Sequence, residues 1–309
     1  MNKPLVAVVV GPTASGKTSL GIEIAEHFGG EIVSADSMQI YENMDIATAK
    51  PTDSELARVK HHLIGFVPAG ESFSVAKYKE KAIEAIDEIL SEGKLPVVVG
   101  GTGLYIDTLI RNTEFFDYEE SDIRVKLEAR CEKEGIDSLY NELKSVDPIA
   151  AQRLHINDTK RIIRALEVYY STGMTISRQD ELSHLNESKY RFCIIGLNAT
   201  DRQYLYDRIN LRVDMMLEDG LIAEADSFFK SDISKTAAQA IGYKELKPYF
   251  DSLVTLDEAV EKLKMETRRY AKRQLTWFRR NKDIHWLDID EYEKNELIER
   301  ACEIIENER

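Results

Sequence analysis

Leu5-Val6-Ala7-Val8-Val9-Val10-Gly11-Pro12-Thr13-Ala14-Ser15-Gly16-Lys17-Thr18 is the stretch that decides the fold. Its first six residues form an unbroken apolar, largely β-branched run that stops at a Gly-Pro turn, the pattern of a strand buried on both faces of a parallel sheet. The next eight satisfy G-x-x-x-x-G-K-[ST], a nucleotide- and ATP-binding motif. Residues 17–28 then place Leu20, Ile24 and Phe28 on one helical face before Gly29-Gly30 ends the period. A strand, a glycine-rich loop and a helix in this order give the motif its meaning. The glycines let successive backbone N–H groups and the helix N-terminus point at phosphate oxygens, Lys17 adds positive charge, and Thr18 offers a hydroxyl to Mg²⁺. Gly11, Pro12, Thr13, Ala14, Ser15, Gly16, Lys17 and Thr18 are therefore the expected cradle for at least a diphosphate.

Outward from this point, residues 31–35 read as a second strand closed by Asp36-Ser37. Residues 75–90 read as a helix through Tyr78, Ala82, Ile86 and Leu90, and 95–99 as a third strand running into Gly100-Gly101-Thr102-Gly103. Strands alternating with helices predict an α/β fold, a parallel sheet flanked by helices. Across 114–189 the strand-like runs vanish, and 122–134 and 150–170 carry helical periodicity. The α/β pattern resumes with a strand at 192–197. A helix over 201–219 follows, with Leu205, Ile209, Val213 and Leu217 on one face, Asp201 as cap and Gly220 as stop. A long helix over 256–281, a strand at 284–287 and a terminal helix complete the chain. The expected organisation is a discontinuous core, 1–113 with 190–309, interrupted by a helical insertion domain over 114–189. No internal repeat is visible.

Composition narrows the class. The chain has 309 residues, 43% of them apolar, with 41 basic and 55 acidic side chains giving a formal charge of −14. That length suffices for a large core with a smaller unit beside it. No apolar run approaches the ~18 residues of a membrane helix, and the run before Gly11 is too short for a signal-peptide core, so no membrane partner and a cytoplasmic location are expected. Cys131, Cys193 and Cys302 lie far apart without C-x-x-C spacing and read as reduced structural thiols. His61-His62 has no ligand spacing around it and also reads as structural.

The loop alone leaves the ligand open. An NTPase usually carries an Asp at the end of a second apolar strand, whereas 95–99 runs into Gly-Gly-Thr, and Asn281-Lys282-Asp283-Ile284 has its Asp one place too early for a guanine signature. The remaining acid at a strand end is Asp36, which reads either as a turn cap or as a general base facing the ligand crevice. Residues 264–282 hold eight Lys and Arg against only Glu266, a local +7 that leaves −21 for the rest of the chain. With Tyr270, Trp277 and Phe278 interleaved, this segment suits a nucleic-acid surface, the alternative being a solvated helix face. Arg153, Lys160, Arg161 and Arg164 form a second basic cluster.

At these residues the sequence resembles a known family, the bacterial tRNA dimethylallyltransferases or tRNA isopentenyltransferases. The resemblance rests on the blocks at 11–18, 34–51 (SADSMQIYENMDIATAKP), 97–105 (VVVGGTGLY), 152–167 (QRLHINDTKRIIRALE), 240–245 (AIGYKE) and 272–280 (KRQLTWFRR), in order across nearly the whole chain. Ala47 stands where the family commonly has Gly, and Ile156 where it commonly has Pro. The resemblance implies a P-loop NTPase-like fold that moves a dimethylallyl group from dimethylallyl diphosphate to N6 of the adenosine 3′-adjacent to the anticodon in tRNA. Diphosphate is released and Mg²⁺ assists at Thr18. It implies Asp36 as general base, with Thr102 and Arg212 completing the catalytic set. It implies tRNA contacts from Asp36, Ser37, Met38 and Gln39, from Gln152, Arg153, Arg161 and Arg164, from Gly242, Tyr243 and Lys244, and from Lys272, Arg273, Gln274, Trp277 and Arg280. The expected partners are a tRNA anticodon loop, gripped from one side by the core and from the other by the insertion, and dimethylallyl diphosphate. The chain is expected to act as a monomer. Two other readings stand beside this one: a P-loop kinase of a nucleoside or small metabolite, with Arg161 and Arg164 on a lid, and a nucleotide-gated RNA-binding module without chemistry.

Overall fold

The computed structural model describes residues 3–113, 115, 122–183 and 187–309; Glu114, where the insertion is expected to begin, lies outside them. The decisive stretch folds as its pattern requires. Strand β1 (Leu5–Val10) is buried from its second residue onward, and α1 (Lys17–Phe28) starts immediately after Gly16. Gly29 closes that helix at φ 63°, its N–H reaching the carbonyls of Ala25 and Glu26. The chain continues through β2 (Glu31–Ser34), α2 (Asp53–Leu56), β3 (His61–His62), α3 (Val75–Ser91), β4 (Pro96–Gly100) and α4 (Gly103–Ile110). Next come α5 (Ile123–Glu134), α6 (Ile136–Val146), α7 (Pro148–Arg153), α8 (Thr159–Thr172) and α9 (Ile176–Ser183), with no strand among them. Then follow β5 (Arg191–Asn198), α10 (Arg202–Glu218), α11 (Leu221–Lys230), a 3₁₀ turn (Ala237–Gln239), α12 (Tyr243–Phe250), α13 (Leu256–Phe278), β6 (Ile284–Asp288) and α14 (Lys294–Glu308).

All strand pairs are parallel, and the sheet order is β3-β2-β4-β1-β5-β6. This is the α/β sheet that the strand–helix alternation predicts. Because β4 lies between β1 and β2, the loops leaving the carboxyl ends of these three strands are neighbours. Gly11 to Thr18, Asp36 and Thr102 are thereby brought to one sheet edge, where open α/β sheets hold ligands. One apolar layer joins the sheet to α1 and α14 through Leu20, Ile24, Val97, Ile195 and Ile305. A second gathers Ile40, Tyr41 and Met44 with the inner faces of α10 to α13.

The chain divides into two compact units, 1–109 with 189–309 and 110–188. The second has its own apolar core, including Leu127, Leu139, Leu143, Ile162 and Leu166. Within it, buried Asp147 accepts from Ala150 N and Ser177 N at 3.0 Å each, tying the start of α7 to α9. The periodicity over 150–170 is not one helix. It breaks where Leu154 turns extended at φ −99°, ψ 134°, and Asp158 N–H closes a turn on the carbonyl of His155 at 2.8 Å. Asn157 and Asp158 are turn formers, and Ile156 sits inside this break. The long helix α13 likewise stops at Phe278, three residues earlier than its sequence pattern suggests, with Arg279 as its cap.

Candidate active site

The cradle is built around two backbone positions that suit glycine. Gly11 has φ +150°, and a Cβ there would lie 2.8 Å from the carbonyl of Leu197; Gly16 has φ +93° at the N-cap of α1. Four side chains then hold the loop. Lys17 Nζ donates to the carbonyl of Pro12 at 2.7 Å, and Arg208 Nε donates to that of Ala14 at 2.8 Å. Arg212 Nη1 donates to Thr13 Oγ1 at 3.4 Å. Gln274 uses both ends of its amide: Oε1 accepts from Thr13 N at 2.8 Å, and Nε2 donates to the carbonyl of Gly101 at 2.9 Å. Lys17, Arg208 and Arg212 thus bond to neutral groups of the loop they surround.

Burial brings the Lys17 ammonium down from its ordinary value to about 7, the Arg212 charge adds to the fall, and Asp36 opposes it. Arg212 is also lowered, by burial first, with Asp36 again opposing. Cations held this way, away from water and short of counter-charge, favour an incoming anion.

Asp36 follows β2 directly. Its Oδ1 accepts from Met38 N at 2.9 Å and Gln39 N at 3.4 Å, so the turn-cap reading is realised, and the same side chain lines the cavity that contains Lys17. The cap fixes where the carboxylate stands. Thr102 secures the neighbouring turn, its Oγ1 accepting from Ser37 N at 3.0 Å and donating to Ser37 Oγ at 3.2 Å. The glycines around Thr102 are close approaches: a Cβ would lie 2.2 Å from the carbonyl oxygen of Ala35 at Gly100, 2.2 Å from Gln274 Nε2 at Gly101, and 2.3 Å from the Trp277 ring at Gly103.

Part of this set lines a cavity of about 280 Å³, while Thr102 and Arg208 stand behind its wall-forming neighbours and are not among the lining residues. Thr13, Lys17, Thr18, Asp36, Ser37, Arg212 and Tyr270 give it a polar wall, and Ile209, Val213, Met216, Ile241 and Leu263 an apolar one. Among the described residues, no group of three His, Cys, Asp or Glu could hold a metal ion. A divalent cation here would therefore draw its ligands from an incoming phosphate, water and the Thr18 hydroxyl, an oxygen-rich set that suits Mg²⁺.

The residues expected to meet RNA separate into several kinds. Met38, Gln39, Gly242, Lys244 and Arg273 line the cavity, although the Gln39 amide braces its own loop by donating to the carbonyls of Thr48 and Ala49 at 3.1 and 2.9 Å. Lys272, Arg273 and Arg280 are exposed, with Arg273 over the Tyr270 ring and Arg280 over the Trp277 ring. Trp277 Nε1 donates to Asp107 Oδ2 at 3.0 Å. Two further residues of the expected RNA set are buried and bonded within the fold. Tyr243 is wholly buried, stacked on Phe228, with its hydroxyl donated to Glu224. Gln274 is buried, with both amide atoms committed to the cradle and to Gly101.

The +7 run is also split. Lys264 pairs with Asp214, Arg269 with Glu266, and Arg268 donates to Asn210, leaving Lys272 and Arg273 near the end of α13, with Arg280 and Lys282 just beyond it, as the exposed cationic surface. Within the helical unit, Gln152, Arg153, Arg161 and Arg164 are exposed. Arg153 pairs with Asp180, Arg161 with Asp158 and Arg164 with Glu167.

Sequence reasoning missed Arg208 and the cradle role of Gln274. Arg208 had a signal, since Arg208 and Arg212 are four apart on one helix and so share a face. Gln274 had none, because its partner Thr13 lies 261 residues away.

The fold and the cavity define a P-loop α/β protein in which cationic side chains around the glycine-rich loop share a cavity with a strand-end carboxylate. The sequence pattern of the IPP transferase family matches residues 39–281. A tRNA dimethylallyltransferase from Acetivibrio thermocellus is 52% identical over 296 residues, covering 95% of this chain and 94% of that protein. The crystal structure of a full-length tRNA isopentenylpyrophosphate transferase from Bacillus halodurans superposes with a TM-score of 0.74 at 42% identity, covering 99% of this chain and 96% of the other. A eukaryotic dimethylallyltransferase acting on tRNA gives a TM-score of 0.79 at 30% identity, over 93% of this chain and 74% of the other. The chain belongs to the IPP transferase family.

Proposed function

We propose that this chain transfers a dimethylallyl group from dimethylallyl diphosphate to the N6 amine of the adenosine 3′-adjacent to the anticodon in tRNA. The observation that carries the reading is the meeting of Lys17, Arg212 and Asp36 on one cavity, in a chain whose curated relatives are named tRNA dimethylallyltransferases. The diphosphate sits in the loop of residues 11–18, and the N6 amine approaches the Asp36 carboxylate. As the nitrogen attacks the allylic carbon, a C–N bond forms and the C–O bond to diphosphate breaks. Asp36 accepts the proton that nitrogen loses, while Lys17 and Arg212 oppose the charge that grows on the leaving diphosphate. Mg²⁺ bound near Thr18 would supply further charge neutralisation on that group.

An adenine stacked in an anticodon loop cannot reach such a cavity, so the base turns out of its stack to enter it. Exposed cations near the end of α13 and, on the helical unit, Gln152, Arg153, Arg161 and Arg164 are the surfaces each unit offers to tRNA phosphates. A kinase reading draws no support from the end of β4, where Gly100-Gly101-Thr102 supplies no acid to hold a metal–triphosphate. The test is incubation with labelled dimethylallyl diphosphate or labelled ATP, with and without bulk tRNA. Acid-precipitable label from dimethylallyl diphosphate only when tRNA is present supports the proposal. Label transfer from ATP to a small acceptor overturns it.

A further inference from the structure

The block at 34–51 is longer than Asp36 requires, and its second half meets an unusual partner. Glu224, at the start of α11, accepts from three consecutive backbone N–H groups: Asp45 at 2.8 Å and Ile46 at 2.7 Å through Oε2, and Ala47 at 2.9 Å through Oε1. Its Oε1 also accepts from the Tyr243 hydroxyl at 2.7 Å. The far side of the same loop is tied by Lys50 Nζ, which donates to the carbonyl of Tyr41 at 2.6 Å and to Asp45 Oδ1 at 2.5 Å. Ala47, so fixed, and its neighbour Thr48 form part of the cavity wall, and Gly242 stands against Ala47 with only enough room for a hydrogen. A Cβ at Gly242 would lie 2.9 Å from that of Ala47. Ala47 and Gly242 thus make one tightly packed part of the cavity wall, and the loop behind it is held by the Glu224 carboxylate together with Lys50 and Gln39.

We infer that Glu224 is a positioning residue that sets this part of the wall and thereby limits the length of the allylic group the enzyme transfers. The inference rests on the function proposed above. A Gln in its place cannot reproduce the clamp: whichever way the amide turns, its NH₂ faces a backbone N–H that now meets a carboxylate oxygen. The loop then loses its Glu224 anchor, keeping only the Lys50 and Gln39 bonds, while the diphosphate cradle, held by Arg208, Arg212 and Gln274, keeps its own.

Wild type, Glu224→Gln and Tyr243→Phe are compared for transfer of five-carbon dimethylallyl and ten-carbon geranyl groups to bulk tRNA, with binding of inorganic diphosphate as the control. For Glu224→Gln the ratio of kcat/KM for geranyl over dimethylallyl diphosphate is expected to rise by about tenfold or more, the scale on which pocket fit discriminates hydrocarbon length. Inorganic diphosphate should bind as in wild type. Tyr243→Phe removes only a hydroxyl and keeps the Phe228 stack, so it folds and shows a smaller rise in the same direction. An unchanged ratio in Tyr243→Phe, together with an unchanged ratio in Glu224→Gln or its failure to fold, overturns the inference. A wild-type protein that prenylates no tRNA overturns the proposed function instead.

Discussion

The cations of the cradle and those of the helical unit are chemically alike and physically opposite. Lys17, Arg208 and Arg212 surround the glycine-rich loop and bond to carbonyls and a hydroxyl. Arg153, Arg161 and Arg164 are exposed, each beside a carboxylate of its own unit. A surface pair of the second kind contributes about 0–1 kcal/mol to stability and can exchange its acid for a phosphate at little cost. Lys17 and Arg212 are destabilising while no anion is near, because burial penalises their charge and Asp36 offsets that only in part, whereas Arg208 is exposed and escapes the penalty. In the first set charge is left short of balance; in the second it is already balanced.

The most severe way to break this contrast is to remove Asp36, the one carboxylate that lines the cationic cavity among the described residues. Asp36→Asn or Asp36→Ala is expected to lower single-turnover transfer by about 10²–10⁴, the usual scale for a general base, while tRNA affinity changes by less than about tenfold. Near-normal turnover would remove Asp36 from the chemistry.

Lys17 sharpens the contrast through pH. With the folded-state value brought down to about 7, the free protein holds this lysine charged below that pH and neutral above it. Diphosphate affinity should therefore fall as pH rises through about 7, and binding at pH 8 should take up a proton, readable by calorimetry in buffers of different ionisation enthalpy. In Lys17→Met the affinity is expected to drop sharply and this lysine's share of the pH dependence to vanish. Stability moves the other way. Between about 7 and the ordinary lysine range the unfolded chain binds the extra proton, so the ligand-free protein gains stability as pH rises through that window. Lys17→Met should accordingly melt higher than wild type at pH 6.

Gln274→Leu leaves Thr13 N and the Gly101 carbonyl without their buried partner. Denaturant titration should show a loss of about 1–3 kcal/mol, with weaker diphosphate binding. If tRNA affinity falls instead and diphosphate binding holds, Gln274 belongs to the RNA surface after all.

The mildest comparison sets two surface pairs against each other. Replacing Arg273 and Arg280, which stack on Tyr270 and Trp277 and face no acid among the described residues, should flatten the slope of log tRNA affinity against log salt by roughly 0.7–0.9 for each phosphate that is no longer neutralised. Replacing Arg161 and Arg164 should flatten it less, since each already shares its charge with Asp158 or Glu167.

Local physics made most of the core legible. A continuous apolar run and a glycine-rich turn locate β1 and α1 to the residue, because strand burial and helix capping both depend on near neighbours. The two-residue β3 is too short to show a period, and it exists through pairing with β2 and the bond from His62 to buried Glu31 at 2.7 Å. The break between α7 and α8 was written in Asn157-Asp158 but overridden by the apolar period on either side. In the site, Asp36 and the glycine-rich loop were readable from their places at strand ends. The structural bonds of Gln274 and Tyr243 were not legible, because their partners, Thr13 with Gly101 and Glu224, come together only through the tertiary fold.

The three glycines about Thr102 carry a further consequence for how this molecule would look to a geneticist. Each is imposed by a different neighbour, the Ala35 carbonyl, the Gln274 amide or the Trp277 ring, and none has a side chain with which to touch a substrate. A saturation screen scored on loss of tRNA modification would return Gly100, Gly101 and Gly103 alongside Asp36. Sorting the alleles by protein abundance would part them again, the Asp36 alleles yielding full-length soluble but inert protein and the glycine alleles depleted protein, so that intolerance to change in this segment measures crowding as much as chemistry.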